Sequence, residues 1–159
     1  MKSGDRTVET FVVYPEVSQK TPVIIVIHDI QGMTEWPQSF ADELAEAGYI
    51  AAAPDLGKRS PDQVLGDLNA VVEYARSIPA CNGKIAAAGF DEQAVRFAAK
   101  RSDLAAVYVF GPKAANSSVI AFPGPPDFMR LGDAPNASAA DKKAREDAWE
   151  RWKKLLVKL

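Results

Sequence analysis

The chain has 159 residues, 47% of them apolar and 25% charged, which is ordinary for a globular protein, and we expect a single domain over residues 1–159. Lys and Arg number 19 against 21 Asp and Glu, and a net charge of −2 argues against nucleic acid or an anionic membrane as a partner. Because the one cysteine cannot form an internal disulfide, and because we find neither a signal peptide nor a membrane span, the sequence predicts a cytoplasmic protein.

The first half of the chain alternates between predicted strands and one helix. Residues 7–14 alternate loosely and are rich in β-formers, which is typical of an edge strand. Residues 23–28 form a continuous β-branched run, as in a strand buried on both faces. Apolar residues at helical spacing predict a helix over residues 36–47, and residues 49–53 read as a second short buried strand.

The second half continues the same alternation. Ser60 and Pro61 are the N-cap and first-turn residues of a helix. Asn82-Gly83 is a turn signal, which leaves Cys81 in a loop. Further strands are predicted at residues 84–88, 104–110 and 119–122, and further helices from about residue 91 and over residues 139–157. Uniformly apolar strands between helices predict a three-layer α/β/α sandwich with a mostly parallel sheet.

Several segments resemble the dienelactone hydrolase family of α/β-hydrolases. They are "PVIIVIHDIQGM", "FADELAEAGYIAAAPDL", "DLNAVVEYARSIPACNGKIAAAGF" and "LAAVYVFGP", within residues 22–112. The tail "FPGPPDFMRLGDAPNASAADKKAREDAWERWKKLL" is similar to the end of that family, where a Pro-Gly turn precedes the catalytic His. The resemblance implies a truncated α/β-hydrolase-like fold and, as the family's activity, hydrolysis of carboxylic esters or lactones.

The chain departs from the family at the residues that carry its chemistry. The family mechanism needs a nucleophile on a strained strand-to-helix turn, a His, and an acid that orients the His. Where the resemblance implies Gly-x-Cys-x-Gly or Gly-x-Ser-x-Gly, this chain has Gly89-Phe90-Asp91-Glu92-Gln93. Where it implies the His, just before Asp127, the chain has Pro125-Pro126.

The family's acid-bearing segment is also missing. Only seven residues separate Gly111 from Val119, where the family places a helix, a strand and the loop with the catalytic acid. With nucleophile and base both lost, the sequence predicts a catalytically impaired or inactive protein, a pseudoenzyme.

Asp91, His28 and Asp29 are the candidate catalytic residues. Asp91 is either the N-cap of the following helix or a reactive carboxylate, since Asp serves as the nucleophile in haloalkane dehalogenases of the same superfold. His28, the only histidine, is either a buried structural residue or the partner of Asp91 in a dyad that acts on water. Asp29 stands where the resemblance implies a Glu near the nucleophile, and it either takes part in acid-base work or caps a loop.

Two non-catalytic hypotheses remain open beside an active hydrolase. One is the binding of a small-molecule ester or lactone at the strand ends. The other is a homodimer, because the missing segment would leave residues 119–122 as an uncovered sheet edge. The sequence contains no CxxC pair, HExxH motif or Gly-rich phosphate loop, so we predict no metal and no cofactor.

Overall fold

A six-stranded sheet forms the middle layer of the protein. The computed structural model describes residues 1–29, 31–111 and 118–159. The sheet strands are β3 (Thr10–Val13), β4 (Thr21–Ile27), β5 (Ile50–Pro54), β6 (Cys81–Gly89), β7 (Ala106–Phe110) and β8 (Ile120–Phe122). Their order is β3-β5-β4-β6-β7-β8, and among these strands β3 pairs antiparallel while the rest are parallel. The mostly parallel sheet predicted from the sequence is confirmed.

Helices cover both faces of this sheet. They are α1 (Glu35–Glu46), α2 (Pro61–Ser77), α3 (Glu92–Lys100), α4 (Phe128–Leu131) and α5 (Ala139–Leu156). On one face α2 and α3 pack against the sheet, and on the other α1, α4 and α5 do so, which confirms the three-layer sandwich. Across residues 1–29, 31–111 and 118–159, none of the helices combines the length and the apolar character that crossing a bilayer requires.

The pattern of side-chain sizes explains how the layers fit. Successive residues of β4 alternate between the two cores because side chains of a strand point to opposite faces. The neighbouring strands β5 and β6 carry alanine runs at residues 51–53 and 86–88, all fully buried. These small side chains leave room on one face for the rings of Phe40 and Trp152, which stack with centroids 5.5 Å apart.

One local prediction was wrong, and another holds with shorter bounds. The Asn82-Gly83 signal does not precede the strand, because β6 begins at Cys81 and carries an irregularity within it. Gly83 adopts a φ of +91°, and its N–H donates to Cys81 Sγ at 3.3 Å, so Cys81 lies in a strand and not in a loop. The edge strand predicted over residues 7–14 is present at the edge of the sheet but shorter, as β3, while Thr7 belongs to a separate two-stranded antiparallel sheet of β1 (Lys2–Ser3) and β2 (Arg6–Thr7).

The outer edge of β8 is occupied by a cation. Phe122 O accepts the Gly111 N–H, so the alternation of a strand turns the neighbouring Ala121 carbonyl away from β7. Arg151 of α5 donates to that carbonyl at 3.1 Å and lies 4.4 Å from the Phe122 ring centroid. Such a cover hinders pairing with another chain. The homodimer stays a prediction. The prediction that the family's acid-bearing segment is missing concerns mainly residues 112–117, which lie outside the described residues.

Candidate functional site

The three predicted site residues lie at one edge of the sheet. Strands β4 and β6 are parallel neighbours, and Ile27 pairs in register with Gly89. His28 and Asp29 follow the first of these residues, and Asp91 comes two residues after the second. The carboxyl ends of parallel strands meet at one edge, which is where ligands bind in sheets of this kind. The catalytic roles of these residues remain predictions.

Both ring nitrogens of His28 are engaged by the backbone. The side chain is 2% exposed. Its Nε2 accepts the Leu56 N–H at 2.8 Å, so the ring proton sits on Nδ1, which donates to the Asp29 carbonyl at 2.8 Å. The nearest carboxylate oxygen, Asp55 Oδ1, is 4.0 Å from Nε2, beyond hydrogen-bond distance. His28 therefore ties the loop after β4 to the loop after β5.

Asp91 is the N-cap of α3. Its Oδ1 accepts the Gln93 N–H at 2.9 Å. Its φ of −152° is ordinary extended backbone, unlike the strained turn that holds a hydrolase nucleophile. Among the described residues no ion pair within 4.0 Å joins Asp91 with His28, so the dyad is not formed in this conformation.

The surroundings of Asp91 disfavour its charge. Burial raises the pKa of the Asp91 carboxyl above its ordinary value, and the charges of Asp29 and Glu92 raise it further, against the lowering effects of the Gln93 N–H and His28. Because the pKa is higher in the folded state, the contribution of this group to stability is present at low pH and is lost as the pH rises through its folded value. Ionised Asp91 is thus a destabilised carboxylate at the sheet edge.

Asp29 organises its own loop. Its Oδ1 accepts the Gln31 N–H at 2.9 Å, and its carbonyl accepts the Gly32 N–H at 3.0 Å. This is the loop-capping arrangement expected of an Asp after a strand.

A cavity of about 510 Å³ opens beside Asp91. Its walls are largely apolar and come from α2, from α3 and from the ends of β6 and β7. The apolar side chains are Pro61, Val64, Leu65, Phe90, Val109, Phe110 and Pro126, and the charged ones are Arg59, Asp91, Glu92, Arg96 and Asp127. Its volume and composition are those of a small-molecule site.

A buried charge cluster next to this cavity was not found from the sequence. Asp67 of α2 is fully buried and pairs with Arg6 at 2.6 Å and with Arg59 at 2.5 Å. The Arg59 side chain also lines the cavity. The sequence did contain one signal for this cluster. Asp67 lies within the apolar stripe of α2, directly beside Leu68, where burying an unpaired acid would be costly.

Gly89 sets the approach of α3 to the sheet. A Cβ at this position would overlap the Cβ of Ala94 and contact Ile27. We expect Gly89→Ala to lower the free energy of unfolding by about 1–3 kcal/mol, because α3 is packed and cannot retreat without strain. Urea unfolding measures the change. Adding Ala94→Gly should recover part of it, whereas strictly additive losses would contradict the overlap.

The described part of the chain holds no group of three or more His, Cys, Asp or Glu placed to bind a metal ion.

Comparison with known proteins agrees with this architecture. The sequence profile of the dienelactone hydrolase family matches residues 8–63. A protein of Escherichia coli (strain K12) named "Putative hydrolase fragment YghX" is 39% identical over 54 residues, which are 33% of this chain and 46% of that protein. The chain thus matches less than half the length of this curated relative.

Solved structures match over more of the chain. A Klebsiella pneumoniae subsp. pneumoniae MGH 78578 structure described as "Putative Dienelactone Hydrolase" superposes with a TM-score of 0.78 at 17% identity, covering 99% of this chain and 95% of that one. A "Dienelactone Hydrolase-like Promiscuous Phospotriesterase" from metagenomic libraries gives 0.62 at 19% identity, covering 94% and 74%. Est1E from Butyrivibrio proteoclasticus gives 0.56 at 19% identity, covering 85% and 55%. At these identities the structures show the fold alone. This chain therefore has an α/β-hydrolase-like fold and is similar in sequence to the dienelactone hydrolase family over residues 8–63.

Proposed function

We propose that this protein binds a small organic molecule in the cavity beside Asp91 and does not hydrolyse esters by the mechanism of the dienelactone hydrolase family. The observation that carries the proposal is the state of His28, whose two ring nitrogens are both hydrogen-bonded to backbone groups. A general base needs a nitrogen that can receive a proton from the nucleophile or from water. Since His28 is the only histidine of the chain, no other imidazole can take that role.

Asp91 supports the same proposal. The family's thiol or hydroxyl nucleophile is replaced by a carboxylate, and one oxygen of that carboxylate accepts a helix N–H. When nucleophile and base are both absent, what remains of such a site is substrate binding and oxyanion stabilisation. The cavity retains the first of these, with an apolar wall suited to the body of a small ester or lactone.

The test is a hydrolysis assay with an activated ester, p-nitrophenyl acetate, and a lactone, dihydrocoumarin. We expect the parent protein, Asp91→Asn and His28→Gln all to match the buffer blank. Turnover by the parent that both substitutions abolish would contradict the proposal and favour an Asp91–His28 hydrolase instead. Circular dichroism should accompany the assay, because His28 is buried and its replacement loosens two loops.

Binding is tested separately from turnover. Phenethyl acetate, an uncharged ester with an aromatic body, is titrated into the parent protein while amide NMR signals are followed. We expect saturable shifts at Phe90, Gln93 and Phe110, which line the cavity. Shifts confined to residues away from the cavity would overturn the proposed binding site.

A further inference from the structure

The cavity beside Asp91 contains two acceptor groups that the described residues supply only partly, or not at all, with hydrogen-bond donors. The Asp91 carboxylate accepts only the Gln93 N–H, and in the described part of the chain no Lys or Arg lies within ion-pair distance of it. The Oε1 atom of Gln93 is also buried and has no hydrogen-bond partner among the described residues. A buried acceptor without a donor, such as Gln93 Oε1, is uncommon because it costs the lost hydration of the group.

The cations of the cavity are already paired. Arg59 lies 2.5 Å from Asp67, and Arg96 lies 3.8 Å from Glu92 on the next turn of α3. Asp127 has its own partner, Arg130, at 3.1 Å. Asp91 is therefore the acidic side chain of the cavity that no described arginine or lysine neutralises.

We propose that the ligand of this cavity carries an ammonium group that donates to the Asp91 carboxylate, on a small apolar body packed against Phe90, Val109 and Phe110. The inference rests on the proposed function, since it names the class of molecule that the same cavity takes. A charge-assisted hydrogen bond to a half-buried carboxylate is among the stronger contacts that a protein site offers a ligand. The apolar wall accounts for the rest of the molecule.

The electrostatics of the sheet edge favour a cation over an anion. Burial, with the charges of Asp29 and Glu92, raises the pKa of Asp91 despite the opposing effects of the Gln93 N–H and His28, so the ionised carboxylate is only partly compensated in the free protein. An ammonium group supplies that compensation, whereas a ligand carboxylate adds a further negative charge. A neutral ester gains the apolar contacts only.

The test compares three probes with the same aromatic body: phenethylamine, phenethyl alcohol and phenylacetate. Isothermal titration calorimetry is run at about pH 8, where both the amine and the carboxyl are charged. We expect the amine to bind roughly tenfold or more tightly than the alcohol, and phenylacetate to bind most weakly. Asp91→Asn should reduce the affinity for the amine to that for the alcohol.

Two variants test whether the charge of Asp91 causes the preference for the amine. Asparagine is as good an N-cap as aspartate, so Asp91→Asn retains the start of α3 while removing the charge. Asp147→Asn removes the same charge from an exposed pair with Lys143 on α5 and should leave the preference for the amine intact.

The outcomes separate this inference from the proposed function. If the alcohol binds and the amine binds no tighter, or if the preference for the amine survives in Asp91→Asn, the inference is overturned while the binding cavity stands. If none of the three probes binds, the proposed binding function fails and the inference fails with it.

Discussion

Replacing Asp67 by Ala should lower the free energy of unfolding by about 3 kcal/mol, because it removes the shared partner of two arginines from a buried position. Asp67 is fully buried, and the Arg59 side chain beside it is 17% exposed. Arg6, at 39% exposed, can turn toward water and recover part of its hydration. Without the carboxylate, Arg59 keeps its charge in a poorly hydrated place. Urea or thermal unfolding measures the loss.

A surface acid provides the matched control. Asp103 also pairs with two arginines, Arg76 and Arg101, but its side chain is 42% exposed, and Arg101, which is 14% exposed, would keep Glu73 and Asn69 as partners. We expect Asp103→Ala to cost less than about 1 kcal/mol, since exposed ion pairs contribute little. Equal losses in the two variants would mean that burial does not set the strength of the Asp67 cluster. Asp67→Ala should also weaken ligand binding, because the released Arg59 lines the cavity.

The elements that the sequence predicted well are those set by local patterns. Strand β4 contains the apolar run of residues 23–27 between Pro22 and His28, and every residue of the strand is buried. Helix α2 follows the N-cap Ser60 with a complete capping box, in which the Ser60 side chain accepts the Gln63 N–H and the Gln63 side chain accepts the Ser60 N–H. Such signals are contained within a few residues and hold in most tertiary contexts.

The contacts that decide the site join residues far apart in sequence. His28 receives the Leu56 N–H across 28 residues, and Arg6 reaches Asp67 across 61 residues. No pattern within one element specifies either pair. Asp91 is ambiguous for another reason: the same carboxylate suits an N-cap and a nucleophile, and only its φ and its partner distinguish the two. The turn signal at Asn82-Gly83 failed because a strand can absorb it as a bulge.

Replacing Trp152 by Ala should cost about 3–5 kcal/mol, the range for removing a fully buried large aromatic side chain. Trp152 is 0% exposed and is the largest fully buried side chain of the described chain. Its ring contacts four others, with centroids 5.0–5.6 Å away: Phe40, Tyr108, Phe110 and Trp149. The alanines of β5 and β6 in the same core carry only a methyl group, so they can fill little of the cavity left behind.

The indole N–H of Trp152 allows a second test of this prediction. Trp152 Nε1 is buried without a hydrogen-bond partner among the described residues, so part of the ring's packing energy is offset by that lost hydration. Trp152→Phe removes the N–H and keeps one ring, and it should cost clearly less than Trp152→Ala in thermal unfolding. A loss in Trp152→Phe as large as that in Trp152→Ala would contradict this account of the packing.

The substitution Trp152→Ala should also change the cavity beside Asp91. Phe110 packs on Trp152 with its ring and also lines the cavity beside Asp91. Loss of the indole frees Phe110 to move toward α5, which removes apolar wall from the cavity. Trp152→Ala should therefore weaken phenethyl alcohol binding at a temperature where the variant is still folded, while Trp152→Phe should retain most of it. Undiminished binding in folded Trp152→Ala would mean that the cavity wall is held by β7 alone.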